Sequence, residues 1–136
     1  FNLEWESRMS GYSINIEEKT LAGNNFREVL YTTKRSQLVI MTLQAGEEIG
    51  MEHHEGHDQF IRVEEGEGVA ILDGERHELK DGVAVVIPAG TEHNVINTSS
   101  TSAMRLYTLY SPPEHPDGTI HKTKAEADEY EKTHGH

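Results

Sequence analysis

The sequence predicts an all-β protein, folded as an antiparallel sandwich or barrel. Two observations carry this prediction. Between positions 37 and 110 the chain falls into short apolar or alternating runs of strand length, which are QLVIMTL, QFIRV, GVAILD, VAVVI, HNVIN and AMRLYTLY. Between these runs lie turn-forming segments, namely QAGEE, EEGEG, DGER, LKDG and PAGTE. Because no helix separates such evenly spaced strands, a parallel α/β architecture is excluded.

Two turn signals mark out the middle and the end of the predicted barrel. The pair Asp73-Gly74 supplies the positive backbone φ angles of a tight turn, so LDGERHEL is expected to form a β-hairpin. The segment SPPEHPDGT follows the last predicted strand and holds three of the four prolines of the chain. Proline cannot donate to a sheet ladder, so this segment is expected to run over the surface as an ordered loop.

A short helix is predicted after this loop, at about residues 124–132. The segment TKAEADEYEKTH is rich in helix-forming residues, and Thr123 with Glu126 has the spacing of a capping box. Two arrangements of the helix remain open. It either packs on the barrel through Ala127 and Tyr130, or it stays solvated and frayed.

Composition excludes several kinds of site and partner. The chain has no cysteine, which excludes disulfides, thiolate metal sites and cysteine nucleophiles and is consistent with a reducing compartment. Its net charge of −12 opposes binding to nucleic acid or to an anionic membrane surface. No apolar run approaches the roughly 20 residues that span a bilayer, and no signal-peptide pattern opens the sequence. We expect a cytoplasmic protein.

The length of 136 residues is that of one domain. The chain begins with Phe1, and Met9 would serve as a natural start, so residues 1–8 are interpreted as leader or vector-derived sequence. The predicted domain then covers residues 9–136, with a barrel core at about 37–110 and a C-terminal loop and helix at about 111–136.

Strand alternation places several candidate metal ligands on common faces. Glu52 and His54 point the same way along an extended segment, whereas His53 points the opposite way. Gln59 and His93 lie on two further predicted strands. If Glu52, His54, Gln59 and His93 all point inward, four donor groups converge on one point. The sequence therefore predicts a metal site inside the barrel.

The spacing of these residues resembles the two signature motifs of the cupin superfamily. The first reads Gly46-x5-Glu52-x-His54-x4-Gln59-x6-Gly66, and the second reads Gly82-x5-Pro88-x-Gly90-x2-His93-x3-Asn97. The second motif matches the superfamily pattern at every fixed position, whereas in the first Glu52 replaces a histidine and Gln59 replaces a glutamate. The resemblance covers residues 37–110. It implies a double-stranded β-helix, also called a jelly-roll barrel, with Glu52, His54, Gln59 and His93 as ligands of one divalent metal ion.

Two imidazoles and two oxygen donors suit zinc, manganese, iron, nickel or cobalt, and the sequence does not choose among these ions.

The neighbouring residues have other expected roles. His53 should face the surface and His57 lies in a loop, although His57 could replace Gln59 as a ligand. Arg62 should lie on the outer face, in an ion pair or a dimer contact. The turn residues Gly66, Gly82, Gly90 and Pro88 and the rim residue Asn97 are expected to be structural.

Two functions are consistent with such a site. In the first, an enzyme uses the metal as a Lewis acid in isomerase or lyase chemistry on a small oxygen-containing molecule, or activates dioxygen as a dioxygenase. Ile61, Val63 and Val95 would then form the pocket wall, and Tyr107 or Tyr110, depending on the register of the last strand, would donate a proton. In the second, a non-catalytic protein binds or senses a small molecule through the metal.

A structural barrel without metal is a third and weaker interpretation, because it would bury Glu52 without a compensating cation. Small cupins commonly cover their open sheet edges by pairing with a second copy, so a homodimer is expected. Residues 15–37, which precede the predicted barrel, could supply the strand that covers the edge.

Overall fold

The computed structural model describes residues 10–134. The interpretation of residues 1–8 and of Met9 falls outside these residues. The elements in chain order are α1 (Ile16–Leu21), β1 (Arg27–Thr32), β2 (Gln37–Leu43), β3 (Glu52–His53), β4 (Asp58–Glu65), β5 (Gly68–Leu72), β6 (Glu75–Leu79), β7 (Ala84–Ile87), β8 (Glu92–Asn97), β9 (Met104–Ser111), β10 (Ile120–His121) and α2 (Lys124–His134).

The strands form two antiparallel sheets. One sheet has the order β10-β1-β2-β9-β4-β7 and the other has the order β3-β8-β5-β6. The predicted all-β class and the double-stranded β-helix are confirmed. The sheets extend beyond the predicted core of residues 37–110, because β1 lies before it and β10 lies after it.

The inner faces of the two sheets form the core. Inward residues alternate with outward ones along β4 and β9, as expected for strands with one buried face. The buried cluster contains aliphatic side chains from both sheets, including Val39, Leu43, Ile61, Ile87, Val95 and Leu106. Gly68 lies where β5 passes between β8 and β6, and a Cβ atom at this position would overlap the carbonyl oxygen of Ile96 and the Cε of Met104.

The predicted hairpin forms between β5 and β6. Leu72 pairs with Glu75, and the two turn residues between them, Asp73 and Gly74, have φ angles of 48° and 82°. Positive φ at both central positions is the geometry that matches the twist of the adjoining strands.

Asn97 holds the rim of the barrel, as the sequence predicts. Its Nδ2 donates to the carbonyl oxygens of Leu43, Gln44 and Ser102 at 2.9 to 3.1 Å, and its Oδ1 accepts from the backbone N–H of Ser99. One buried amide thereby joins β8 to the segments after β2 and before β9.

The C-terminal helix is docked on the barrel. Ala127 is 3% exposed and belongs to the core cluster, and the ring of Tyr130 lies 5.1 Å from that of His121. The Oγ1 of Thr123 accepts from the backbone N–H of Glu126, whereas the carboxylate of Glu126 accepts from the N–H of Lys122. Thr123 therefore caps the helix as predicted, but the second bond of the predicted capping box comes from Lys122 and not from Thr123. The solvated alternative does not apply. None of the helices within residues 10–134 has the length and apolar character that a membrane span needs.

Candidate metal centre

Two candidate ligands face each other across neighbouring strands. β3 pairs with β8, and Glu52 lies directly opposite His93 in the register. Direct cross-strand pairs have Cβ atoms about 5 Å apart, so their side chains can meet over the same point. His54 follows β3 by one residue and points to the same side as Glu52, whereas His53 faces solvent as predicted.

The three side chains form one compact cluster. Each offers a ligand atom, and these atoms all lie within 4.8 Å of one another. The Oε1 of Glu52 is 3.8 Å from the Nε2 of His93, and its Oε2 is 3.5 Å from the Nε2 of His54. Three of the four predicted ligands thus lie together in the structure.

The imidazole of His93 is held by a backbone carbonyl. Its Nδ1 lies 2.9 Å from the carbonyl oxygen of Thr91, an acceptor, so this nitrogen carries the proton. The nitrogen left to accept or to bind an ion is then Nε2, which is buried without a hydrogen-bond partner among the described residues and faces Glu52. A backbone acceptor behind the ring is the usual way in which a protein fixes a ligand histidine.

The electrostatics of the cluster favour a charged carboxylate. Burial acts to raise the pKa of Glu52, but the hydrogen bond and charge of His54, with the charges of Arg27 and His93, bring it below its usual value. The hydrogen bond to Glu52 raises the pKa of His54, against the effect of burial. A proton on His54, which the raised pKa favours, stabilises the carboxylate, and a metal ion would take the place of that proton.

Gln59 lies on the facing sheet, in β4. It is 4% exposed, and its Nε2 donates to the Oγ1 of Thr108 at 3.1 Å. This bond fixes the amide so that Oε1, the atom able to bind a metal, is buried without a hydrogen-bond partner. Ligation by Gln59 stays a prediction.

These residues fit a divalent cation. The buried Nε2 of His93 and Oε1 of Gln59 are both acceptor atoms without a donor, and the Glu52 carboxylate supplies the negative charge. Unsatisfied buried acceptors are costly unless they bind a ligand or an ion. The donor set would comprise Glu52, His54, His93 and, as predicted, Gln59.

Glu114 is a site residue that sequence reasoning missed. Its carboxylate is 6% exposed, and its Oε2 lies 3.7 Å from the Nδ1 of His54 and 2.9 Å from the Nε2 of His57. It belongs to the proline-rich loop after β9. Gln37 holds this loop, since its side-chain oxygen accepts from the N–H groups of Glu114 and His115, and its Nε2 donates to the carbonyl of His115. The two sequence motifs that predicted the ligands end before this loop, so their spacing does not indicate the contact of Glu114 with His54.

His57 occupies a different position from the three clustered ligands. Its Nδ1 lies 2.7 Å from the carbonyl oxygen of Pro112, and its Nε2 faces Glu114. Both ring nitrogens are therefore engaged with the proline-rich loop. Arg62 pairs with Glu64 at 3.2 Å on the outer face, in agreement with the predicted ion pair.

The register of β9 decides which tyrosine faces the site. Tyr110 pairs with Gln59 across β4 and is 3% exposed, whereas Tyr107 pairs with Arg62 and lies on the outer face beside Phe60. Burial, followed by the charge of Glu52, raises the pKa of Tyr110 well above its usual value. Of the two predicted proton donors, Tyr110 is the one that points inward and keeps its proton.

The residues predicted as a pocket wall lie in the core. Ile61, Val63 and Val95 are each at most 1% exposed and belong to the buried cluster. They share the inner faces of β4 and β8 with Gln59 and His93, as alternation predicts. Their contact with a ligand stays a prediction.

Comparison with known proteins identifies relatives over most of the chain. The Cupin_2 family model, described as a cupin domain, matches residues 39–110. The uncharacterized protein YrkC of Bacillus subtilis is 44% identical over 122 residues, which are 85% of this chain and 65% of YrkC. The uncharacterized protein L612 of Acanthamoeba polyphaga mimivirus is 43% identical over 80% of this chain and 70% of L612.

The crystal structure of BH2720 from Bacillus halodurans is also similar. It superposes with a TM-score of 0.84 and 43% sequence identity, covering 87% of this chain and 93% of that one. The two proteins are thus similar in sequence and have the same fold. It spans about two thirds of the length of YrkC, 65% by alignment, so the relative has further sequence beyond the shared region.

Proposed function

The chain belongs to the cupin superfamily, within the Cupin_2 family, and we propose that it binds one divalent transition-metal ion and acts on a small oxygen-containing organic molecule. The convergence of Glu52, His54 and His93, whose ligand atoms lie within 4.8 Å of one another, carries this proposal. The proposed ligand set is completed by Gln59, which has a buried acceptor oxygen without a hydrogen-bond partner.

The donor set restricts the metal to ions that accept nitrogen and oxygen ligands, namely zinc, manganese, iron, nickel or cobalt. When bound, such an ion supplies Lewis-acid polarisation of a carbonyl or hydroxyl oxygen, or dioxygen chemistry if it is iron. The protein's own groups bind and orient the reactant. Tyr110 stays protonated because its pKa is raised, so it can donate a hydrogen bond within the barrel, although the raised pKa makes it a weaker proton donor.

The metal content of the purified protein tests this proposal. We expect close to one equivalent of a transition metal per chain in protein prepared without added metal, measured by elemental analysis. The control is the same preparation after dialysis against a chelator, which should rebind one equivalent. A wild-type protein that neither retains nor rebinds a transition metal would contradict the proposal.

Turnover distinguishes the enzyme from its non-catalytic alternative. Isomerase, lyase or dioxygenase chemistry would convert a member of a panel of hydroxy acids, diketones and sugar phosphates. A protein that binds one of these compounds with a higher melting temperature, but converts none of them, would instead be a metal-dependent binding or sensor protein.

Glu114 is expected to strengthen metal binding through His54. Its carboxylate lies behind the imidazole, on the side of Nδ1, and a carboxylate in this position raises the basicity of a ligand histidine. We expect Glu114→Gln to weaken metal affinity by about tenfold to a hundredfold, measured above the pKa of His54 by competition with a chelating dye.

The matched control for this variant is Glu78→Gln. Glu78 is an exposed carboxylate that pairs only with Arg76 among the described residues, on the strand β6. Its replacement should leave metal affinity unchanged. An equal affinity in the Glu114→Gln protein and the wild type would show that the loop carboxylate has no influence on the ion.

The homodimer and the cytoplasmic location stay proposals. Residues 15–37 were named as a segment that could supply a strand to a partner, but β1 pairs with β2 and β10 of its own chain. The outer face of the larger sheet gives better support for a dimer. There Phe60 lies between Val86 and Leu109 in the register, and Val86 is 66% exposed.

A further inference from the structure

A small cavity lies between the start of β1, the segment before β3 and the C-terminal helix. Its volume is about 210 Å³. Glu52 reaches this cavity from the metal centre, and Arg27 reaches it from β1. The remaining lining comes from Phe26, Ile49, Gly50, Met51, Lys124, Ala127, Asp128 and Glu131. The candidate metal ligand Glu52 thus borders a space that can hold a small molecule.

Arg27 is a buried cation that has no carboxylate partner within residues 10–134. The residue is 3% exposed, and its Nε is buried without a hydrogen-bond partner. Its NH1 lies 3.4 Å from the Nδ1 of His121, and its guanidinium carbon lies 5.3 Å from the centre of the Phe26 ring. Among residues 10–134, no aspartate or glutamate forms an ion pair with it.

His121 does not supply the missing negative charge. A guanidinium can only donate, so the Nδ1 of His121 must accept, which requires that nitrogen to be unprotonated. Burial, and then the charge of Arg27, lower the pKa of His121 and keep the ring neutral. A buried arginine paired only with a neutral ring retains its desolvation penalty, since such charges are normally paired.

Metal binding would make the charge around this cavity more positive and would therefore favour an anion in it. The charge of Glu52 acts on Arg27 in the metal-free protein, because Arg27 is among the charges that lower the pKa of Glu52. A bound divalent ion would take up that carboxylate. Asp128 is paired with Lys124 at 2.6 Å, and Glu131 is a further acid on the cavity wall. With the ion present, the charges around the cavity sum to +1.

We infer that this cavity binds the carboxylate of a small organic acid, with Arg27 pairing with the carboxylate and a second oxygen of the acid directed toward the metal centre. This inference rests on the proposed function and deepens it by naming the ligand class. The planar guanidinium donates two parallel hydrogen bonds to a carboxylate, a geometry that a lysine cannot provide.

The volume suits a small acid. A cavity of about 210 Å³ has room for several water molecules or for one small organic ligand. This space corresponds to a hydroxy or keto acid of three or four carbons, such as lactate or pyruvate. Pockets for drug-sized ligands are larger, at about 300 to 1,000 Å³.

The first experiment uses the metal-loaded wild-type protein. Lactate and its neutral amide, lactamide, have nearly the same shape and differ in charge. We expect calorimetric titration to give an affinity for lactate at least about tenfold higher than that for lactamide, because a charge-assisted pair is lost with the amide. Removal of the metal should weaken lactate binding, since the cavity then loses its positive excess. Equal affinities for the acid and the amide would overturn the inference.

The second experiment compares variants of Arg27. We expect Arg27→Gln to weaken lactate binding by roughly tenfold to a hundredfold and Arg27→Lys to weaken it by less. Metal content should be unchanged in both. The control is Arg76→Gln, an exposed arginine on β6, which should bind lactate as the wild type does. Unaltered lactate binding in Arg27→Gln would contradict the role of Arg27.

The outcomes separate this inference from the proposed function. If the protein binds its metal but binds no lactate, pyruvate or glycolate, the inference fails and the metal proposal stands. If inorganic phosphate binds and none of these carboxylates does, the ligand class is wrong. If Arg27→Gln does not fold, as judged by circular dichroism, the wild-type comparison of lactate with lactamide decides the matter. A protein without metal affinity refutes the proposed function itself.

Discussion

Replacing His93 with glutamine is expected to weaken metal binding by more than about a hundredfold. Removing a group that merely orients a ligand histidine costs tenfold to a hundredfold in affinity, and the loss of the ligand itself should exceed this. The Nε2 of His93 is buried without a hydrogen-bond partner and faces Glu52, so a bound ion depends directly on its lone pair. Affinity measured by competition with a chelating dye tests this expectation.

The melting temperature gives a second measure of the same variant. Because Nε2 makes no hydrogen bond in the metal-free protein, His93→Gln removes only the Nδ1 contact with Thr91. We therefore expect a small change in melting temperature without metal and the loss of most of the stabilisation that the metal provides. The matched control is His77→Gln, a half-exposed histidine paired with Glu75 on β6. Wild-type affinity in His93→Gln would remove this residue from the ligand set.

The strands were predictable because each has one buried face. The predicted run QLVIMTL has the same bounds as β2. The bounds of the runs that correspond to β4, β7, β8 and β9 differ from those of the strands by one or two residues at an end. The alternation that buries Gln59, Ile61 and Val63 is a local property of the sequence, which makes it readable. The turn of the β5–β6 hairpin follows from Asp73-Gly74 for the same reason.

The elements before β2 gave a weaker signal. The helix α1 has six residues, and only Thr20 is buried, so it shows no apolar periodicity. Its start is marked by Asn15, whose side chain accepts from the N–H of Glu18, and this cap was not predicted. The strand β1 is defined by pairing with β2 and with the distant β10. Such long-range pairing is absent from local patterns.

The residues of the candidate site also differ in how well local sequence patterns predict them. Glu52, His54 and His93 were predicted because strand alternation and motif spacing place them on the inner side of the barrel. Glu114 and Arg27 were missed because they lie outside the motif-bearing strands. Both reach the site only through the folded arrangement: Glu114 by way of a loop that Gln37 holds from 77 residues away, and Arg27 by way of the first strand.

The metal-induced stabilisation is expected to rise with pH and then level off at the pKa of His54. In the metal-free protein, the hydrogen bond to Glu52 raises this pKa above its usual value of 6.5. The stability that protonated His54 contributes is present below that usual value and is lost as pH rises through the raised pKa. A metal ion requires the unprotonated ring, so it must displace the proton throughout this range. Affinity should therefore increase by about tenfold per pH unit until His54 has lost its proton.

Thermal melts of the protein with and without metal, recorded over a range of pH, check this expectation. The lowered pKa of Glu52 keeps its carboxylate charged as the pH falls. Acid should therefore release the ion by protonating the imidazole of His54 and not the carboxylate of Glu52. Glu114 also raises the pKa of His54 through its charge, and the Glu114→Gln variant should therefore reach the plateau at a lower pH than the wild type. The exposed His53, which points away from the cluster, provides the control: His53→Gln should leave the position of the plateau unchanged. A metal-induced shift in melting temperature that stays constant through this pH range would mean that no proton is displaced, and His54 would then lie outside the coordination of the ion.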